Sequence, residues 1–168
     1  MDISNGSSLG VSLFVQGCHF HCKGCFNTET WDFNGGKEWT DAVENEFLAL
    51  ADHEYIQRIS ILGGEPLCDE NIETVSKLIT KIKKLFPTKK VWVYSGYTWE
   101  ALESLGKTEY IKDADILVDG DFQLEKQDLY NEHIVFAGST NQRIIDIKGS
   151  IENKRACERD KKNGTDKN

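Results

Sequence analysis

Residues Cys18-His19-Phe20-His21-Cys22-Lys23-Gly24-Cys25 place three cysteines within eight positions. A thiol cluster this tight cannot close as local disulfides, so it reads as a metal-ligand loop with an odd count. An iron–sulfur cube takes four iron ligands, usually all cysteine. Three protein ligands beside one open position are the arrangement used for chemistry, whereas a closed four-ligand site is structural. Structural zinc, with His19 or His21 as fourth ligand, is the alternative reading of the same loop. The loop directly follows Val11-Ser12-Leu13-Phe14-Val15, a strand by its β-branched and aromatic content. Gly17 and Gly24 flank the ligands, where the backbone must wrap closely.

Outward from this loop, apolar runs alternate with segments of helical period. Thr40 can cap a helix whose Val43, Phe47, Leu50 and Ala51 share a face. Arg58–Leu62 reads as a strand ending in Gly63-Gly64-Glu65-Pro66. From Asp69 an amphipathic helix carries Ile72, Val75, Leu78, Ile79, Ile82 and Leu85 on one side, with Pro87 just beyond its end. Val91–Tyr94 is a third strand, Thr98–Leu105 a short helix and Ile116–Val118 a fourth strand. Ile134–Phe136 and Ile144–Ile147 supply two more. This alternation predicts an α/β single domain of parallel βαβ units. Six strands are too few for a complete (β/α)8 barrel of ~250 residues, so the expected architecture is an open partial (β/α) barrel of about six mostly parallel strands. In such folds the site gathers at the C-terminal ends of the strands, where both the cysteine loop and the Gly-Gly-Glu-Pro turn fall.

The chain has 168 residues and a net charge of −8, from 28 acidic against 20 basic residues. That balance argues against a nucleic-acid-binding surface. No run of ~18 apolar residues is present to span a membrane, and no charged-then-apolar leader resembles a signal peptide. Five cysteines, three of them clustered, suit a reducing compartment, so the expected location is cytoplasmic. Cys68 and Cys157 stand alone, as a buried small hydrophobe and a tail thiol. The folded domain is expected over residues 1–149. Residues 150–168 are expected to be a charged, flexible tail without apolar period, and deletion of residues 151–168 is expected to leave folding intact.

In Gly63-Gly64-Glu65-Pro66, consecutive glycines let the backbone approach a ligand, and proline fixes the exit. A carboxylate at this strand end can accept from an ammonium group.

The spacing C-x3-C-x2-C, followed by this turn, resembles the radical S-adenosylmethionine superfamily. Within it the chain resembles the activating enzymes of anaerobic, class III ribonucleoside-triphosphate reductases. The stretches that carry the likeness are Gly17–Asn27 with Thr30-Trp31, Val91–Tyr97, Leu117–Phe122 and Gly138–Arg143. The resemblance implies that Cys18, Cys22 and Cys25 hold a [4Fe–4S] cluster and that its open iron binds S-adenosylmethionine. It also implies cofactor contacts from Gly24, Cys25, Phe26, Gly63, Gly64, Glu65, Ser95 and Gly96, with Phe26 against the adenine. A valine at Gly64 should then weaken cofactor binding while leaving the cluster in place. No side chain is assigned a catalytic role beyond the cluster and cofactor. One electron from a flavodoxin- or ferredoxin-type donor would yield a 5′-deoxyadenosyl radical, which takes hydrogen from a glycine of the reductase. Radical chemistry on another glycyl-radical enzyme or a small molecule, and a non-catalytic metal module, are the other readings. One departure stands out: the family has Asn-Gly-Pro-Gly and an arginine before the first strand, whereas Asn5-Gly6-Ser7-Ser8-Leu9-Gly10 has neither proline nor arginine. His19 and His21 are expected to be structural, and Asp119 and Arg143 are further candidates near the site.

Overall fold

The structure is a computed structural model that describes residues 1–130, 132–133 and 135–162. Strands β1 (Gly10–Val15), β2 (Arg58–Gly63), β3 (Lys90–Tyr94), β4 (Ile116–Asp119) and β5 (Arg143–Asp146) form one sheet in the order 1-2-3-4-5. The first four strands are parallel and β5 runs antiparallel to β4. Helices α1 (Asp41–Ala51), α2 (Ile72–Leu85) and α3 (Trp99–Ser104) make the crossovers between β1 and β4, and α4 (Ile147–Asn153) follows β5.

Strand alternation explains the two faces of the sheet. Val11, Ile59, Ile61, Val91, Val93, Leu117 and Ile145 point into one core with Phe47, Leu48, Val75, Leu78, Ile79, Ile82 and Leu102 from the helices. The residues between them, Trp92, Ile116, Val118 and Ile144, form a smaller cluster with Tyr94, Phe136 and Ala137. Parallel crossovers are right-handed as a rule, so sequential strand order puts the helices on one face. The other face is left to irregular chain, and there a ligand space can open.

The α/β class and the parallel strands are as expected; the strand count is not. Val135 and Phe136 lie in a bend rather than a sixth strand, and Ile134 falls outside the described residues. Two helix faces also differ. In α1, Thr40 caps by accepting from Val43 N, but Leu48 is buried and Leu50 is 56% exposed. Either leucine can complete a stripe with Phe47 and Ala51; the roll of the helix on the sheet selects Leu48. Leu85, at the last turn of α2, is exposed.

The boundary expected at residue 149 falls inside α4, whose N-cap Asp146 accepts from Gly149 N at 2.5 Å. Beyond α4 the chain returns along β5. Asp146 N donates to Cys157 O at 2.8 Å and Arg159 N to Ile144 O at 2.6 Å. Arg159 also pairs with Asp146 at 2.5 Å, and Cys157 N donates to Ser150 Oγ at 2.8 Å. Low apolar content concealed this segment because its attachment is made by backbone groups. Deleting residues 155–168 is therefore expected to destabilise the fold by about 2–4 kcal/mol, at ~1 kcal/mol per lost hydrogen bond. Urea unfolding measures this; an unchanged midpoint would show that the returning segment adds nothing.

Candidate metal and cofactor site

Cys18, Cys22 and Cys25 line one cavity of about 600 Å³, together with Gly63, Gly64, Glu65, Ser95 and Gly96. These residues come from the loop after β1, the end of β2 and the end of β3. Three parallel strands in register deliver their C-terminal ends to one rim, so residues distant in sequence meet. All five cysteines are free thiols, and Cys68 is buried elsewhere.

Backbone bonds sew the cysteine loop to the second turn. Gly64 N donates to Val15 O at 2.8 Å, Glu65 N to Gly17 O at 2.7 Å and Gly17 N to Thr30 O at 2.8 Å. The Asn71 amide bridges both segments, donating to Gln16 O at 2.8 Å and Glu65 O at 3.0 Å. Gly64 has no room for a side chain: a Cβ there would lie 2.4 Å from Gly17 O and 2.9 Å from Thr30 O.

Glu65 is 2% exposed. Its carboxylate accepts from Leu67 N at 2.9 Å, Ser95 Oγ at 2.8 Å and Gly96 N at 2.7 Å. The Lys107 ammonium is held nearby by Leu67 O at 2.7 Å and Asp69 at 2.9 Å, over the Tyr97 ring.

The histidines between the cysteines are engaged elsewhere. His19 Nε2 pairs with Glu70 at 2.9 Å, and His21 stacks on Trp31 at 4.6 Å. Among the described residues no three His, Cys, Asp or Glu side chains are arranged to hold a single metal ion. Phe26 lines the cavity, is 59% exposed and packs on Phe122 at 5.1 Å. Gly24 is not among the lining residues; a Cβ there would meet Leu124. Its role is in the turn of the loop. Asp119 and Arg143 form a lock at the end of the sheet. Arg143 bonds Asp119 at 2.5 and 3.0 Å and Glu100 at 2.7 and 3.0 Å, while Asp119 accepts from Trp99 N at 2.7 Å.

Three features of the cavity escaped the sequence. Ile3, Ser4 and Asn5 form part of its wall, as do Asp121, Phe122 and Gln142. Trp31 and Tyr94 also line it, each with a buried donor, Nε1 and Oη, that has no protein partner. For Tyr94, its place at the end of a strand was the available signal.

The sequence matches the family described as "4Fe-4S single cluster domain" over residues 4–145. It is 35% identical over 144 residues to the anaerobic ribonucleoside-triphosphate reductase-activating protein of Escherichia coli K12, covering 84% of this chain and 91% of that one. The protein of the same name from Enterobacteria phage T4 is 34% identical over 143 residues, with 85% and 87% covered. That from Vibrio cholerae is 34% identical over 146 residues, with 86% and 92% covered. The chain belongs to the family of anaerobic ribonucleoside-triphosphate reductase-activating proteins. No solved structure matches it.

The electrostatics of this family member fit a charged ligand in the cavity. Burial pushes the Glu65 carboxyl up to about 7, against the pull of its hydrogen bonds and of Lys107. Burial likewise raises the thiols of Cys18 and Cys22. A carboxylate, three thiols and two unpartnered donors around one space are a donor set suited to an iron–sulfur cluster with a polar ligand beside it. For Glu65 the stability consequence has a definite sign. Its folded pKa lies above the unfolded value of 4.5, so the native state holds a proton that the unfolded state gives up. The ligand-free protein is expected to lose about 3 kcal/mol as pH rises from 4.5 through 7, at 1.36 kcal/mol per unit. Denaturant midpoints at pH 5 and pH 8 measure the loss, and Glu65→Gln should flatten it. An equal slope in that variant would assign the pH dependence to other groups.

Proposed function

We propose that this chain is a radical S-adenosylmethionine activase that installs a glycyl radical on an anaerobic ribonucleoside-triphosphate reductase. The observation that carries this reading is the meeting of the cysteine loop, the Gly63–Glu65 turn and the Ser95-Gly96 turn in one cavity, in a chain 35% identical to a reductase-activating protein. The five-stranded, singly wound sheet is then an open partial barrel with its site at the strand ends.

In this reading Cys18, Cys22 and Cys25 hold three irons of a [4Fe–4S] cluster, leaving one iron for the amino and carboxylate groups of S-adenosylmethionine. When bound, cluster and cofactor supply one-electron cleavage of the sulfonium and hydrogen abstraction from a glycine of the partner. The electron comes from a flavodoxin- or ferredoxin-type protein, as expected in a reducing cytoplasm. The chain's own residues bind and orient. Glu65 would accept an N–H of the cofactor's iron-bound amino group, adding a fourth donor to the three its buried carboxylate already holds. Gly63, Gly64, Ser95 and Gly96 give the methionine moiety a close backbone wall, and Phe26 offers the adenine an exposed apolar face. No helix among the described residues is long and apolar enough to cross a membrane.

The test is anaerobic incubation of iron-loaded protein with a candidate reductase, reductant and S-adenosylmethionine, followed by electron paramagnetic resonance. A glycine-centred radical on the reductase is expected. Cofactor cleavage with no radical on any such reductase would redirect the reading to another substrate, and a protein that takes up zinc but no iron and sulfide would end it.

A further inference from the structure

Arg58 is the largest charged side chain that the fold buries completely, and the mechanism above does not use it. It opens β2 with 0% exposure. Around its guanidinium wraps the segment Asp2–Ser8, hereafter the strap. Nη2 donates to Asp2 O at 2.9 Å and to the Asp2 carboxylate at 3.0 Å. Nε donates to Ser7 O at 3.2 Å, and Nη1 donates to Asn5 O and Ser60 Oγ. Ser60 Oγ adds a second bond to Asn5 O at 2.5 Å, and Ser12 Oγ bonds the Asp2 carboxylate at 2.5 Å. A Cβ on Gly10, the register partner of Arg58, would lie 2.7 Å from the guanidinium carbon.

A fully desolvated arginine is costly and rarely the most stable choice at a buried site. Here it faces the Asp2 carboxylate and the carbonyls of Asp2, Asn5, Ser7 and Ser8, in a segment whose one ladder contact is the bridge of Asp2 to Gly10. One of the carbonyls it holds belongs to Asn5, and Asn5, Ser4 and the 74% exposed Ile3 form a wall of the cavity. With exposed Phe14 and Phe26, Ile3 completes an apolar lip on that cavity.

We infer that Arg58 is a positioning residue for the incoming substrate loop: its fork fixes the Asp2–Ser8 strap as the wall against which the partner's glycine-bearing segment is aligned. The inference rests on the activase reading. It separates two events that the same cavity hosts: cofactor cleavage, which needs the cysteine loop and the two turns, and hydrogen transfer from the partner, which also needs the strap. Lysine keeps the charge at this place but not the planar fork of five donors.

Two measurements on Arg58→Lys test it. In iron-free protein, amide hydrogen exchange across residues 2–8 is expected to rise about tenfold or more as the strap opens. In loaded protein, glycyl-radical yield at fixed reductase should fall about tenfold or more, while cleavage of S-adenosylmethionine without reductase stays within about twofold of wild type. Free guanidinium ion at low concentration should restore radical yield to Arg58→Ala. If cleavage and radical yield fall together, or strap exchange or radical yield is unchanged, the inference is overturned. Where Arg58→Lys does not fold, Asp2→Asn gives the same comparison from the other side of the ion pair. A wild-type protein that cleaves no cofactor would instead remove the activase reading.

Discussion

Alanine at any one of Cys18, Cys22 or Cys25 is expected to abolish cluster assembly, leaving iron and sulfide near background after anaerobic reconstitution. Two thiolates cannot hold a cube that needs at least three irons anchored. Each of the three lines the same cavity, and neither intervening histidine does. Cys68→Ala and Cys157→Ala should keep iron near wild type. Cys68 is 1% exposed and its thiol is pushed up to about 11, chiefly by burial. Cys157 is tied into the segment returning along β5. Iron loss in Cys68→Ala as complete as in Cys22→Ala would show that the ligands are wrongly assigned.

Gly64→Val is expected to lose the cluster as well as the cofactor. The sequence alone predicts a milder effect, weakened cofactor binding with the cluster in place, because it shows only that the backbone here approaches the ligand. The tertiary structure places Gly17 O 2.4 Å and Thr30 O 2.9 Å from any Cβ at this position. Both obstacles are backbone on either side of the cysteine loop, joined by the Gly17 N to Thr30 O bond, so the base of the loop must move, at an overpacking cost on the order of 3 kcal/mol. Iron content and thermal unfolding should both fall, with Gly64→Ala intermediate. A Gly64→Val protein with full iron and weakened cofactor binding would restore the milder view and show that the loop yields easily.

The sequence was most legible where function depends on local pattern. Strand period placed β1 to β4 within a residue or two, and the amphipathic period of α2 marked its buried stripe. The cysteine spacing and the Gly-Gly-Glu-Pro turn are short-range signals, since each is made by residues adjacent in the chain. It was least legible where a segment is held by groups that composition does not report. Residues 155–162 attach through backbone bonds to β5, so a count of apolar side chains gave no warning. Val135 and Phe136 have strand composition but lie in a bend, where Phe136 packs on the smaller cluster of the sheet and Val135 N donates to Lys161 O. Gly24 and Phe26 sit on either side of Cys25, yet of the two only Phe26 reaches the cavity wall.

By itself, then, the sequence determined the α/β class, the three clustered thiols and the family likeness, because periodicity and motif spacing are properties of neighbouring residues. Tertiary structure alone decided that Glu65 is buried among donors with no cation in contact, and that Gly64 abuts the cysteine loop. It also decided that a guanidinium from β2 holds the N-terminal strap beside the cavity. Each of these joins residues about 30 to 55 positions apart. Their contacts exist only once parallel strands are brought into register, and side-chain packing rather than local preference selects which groups meet.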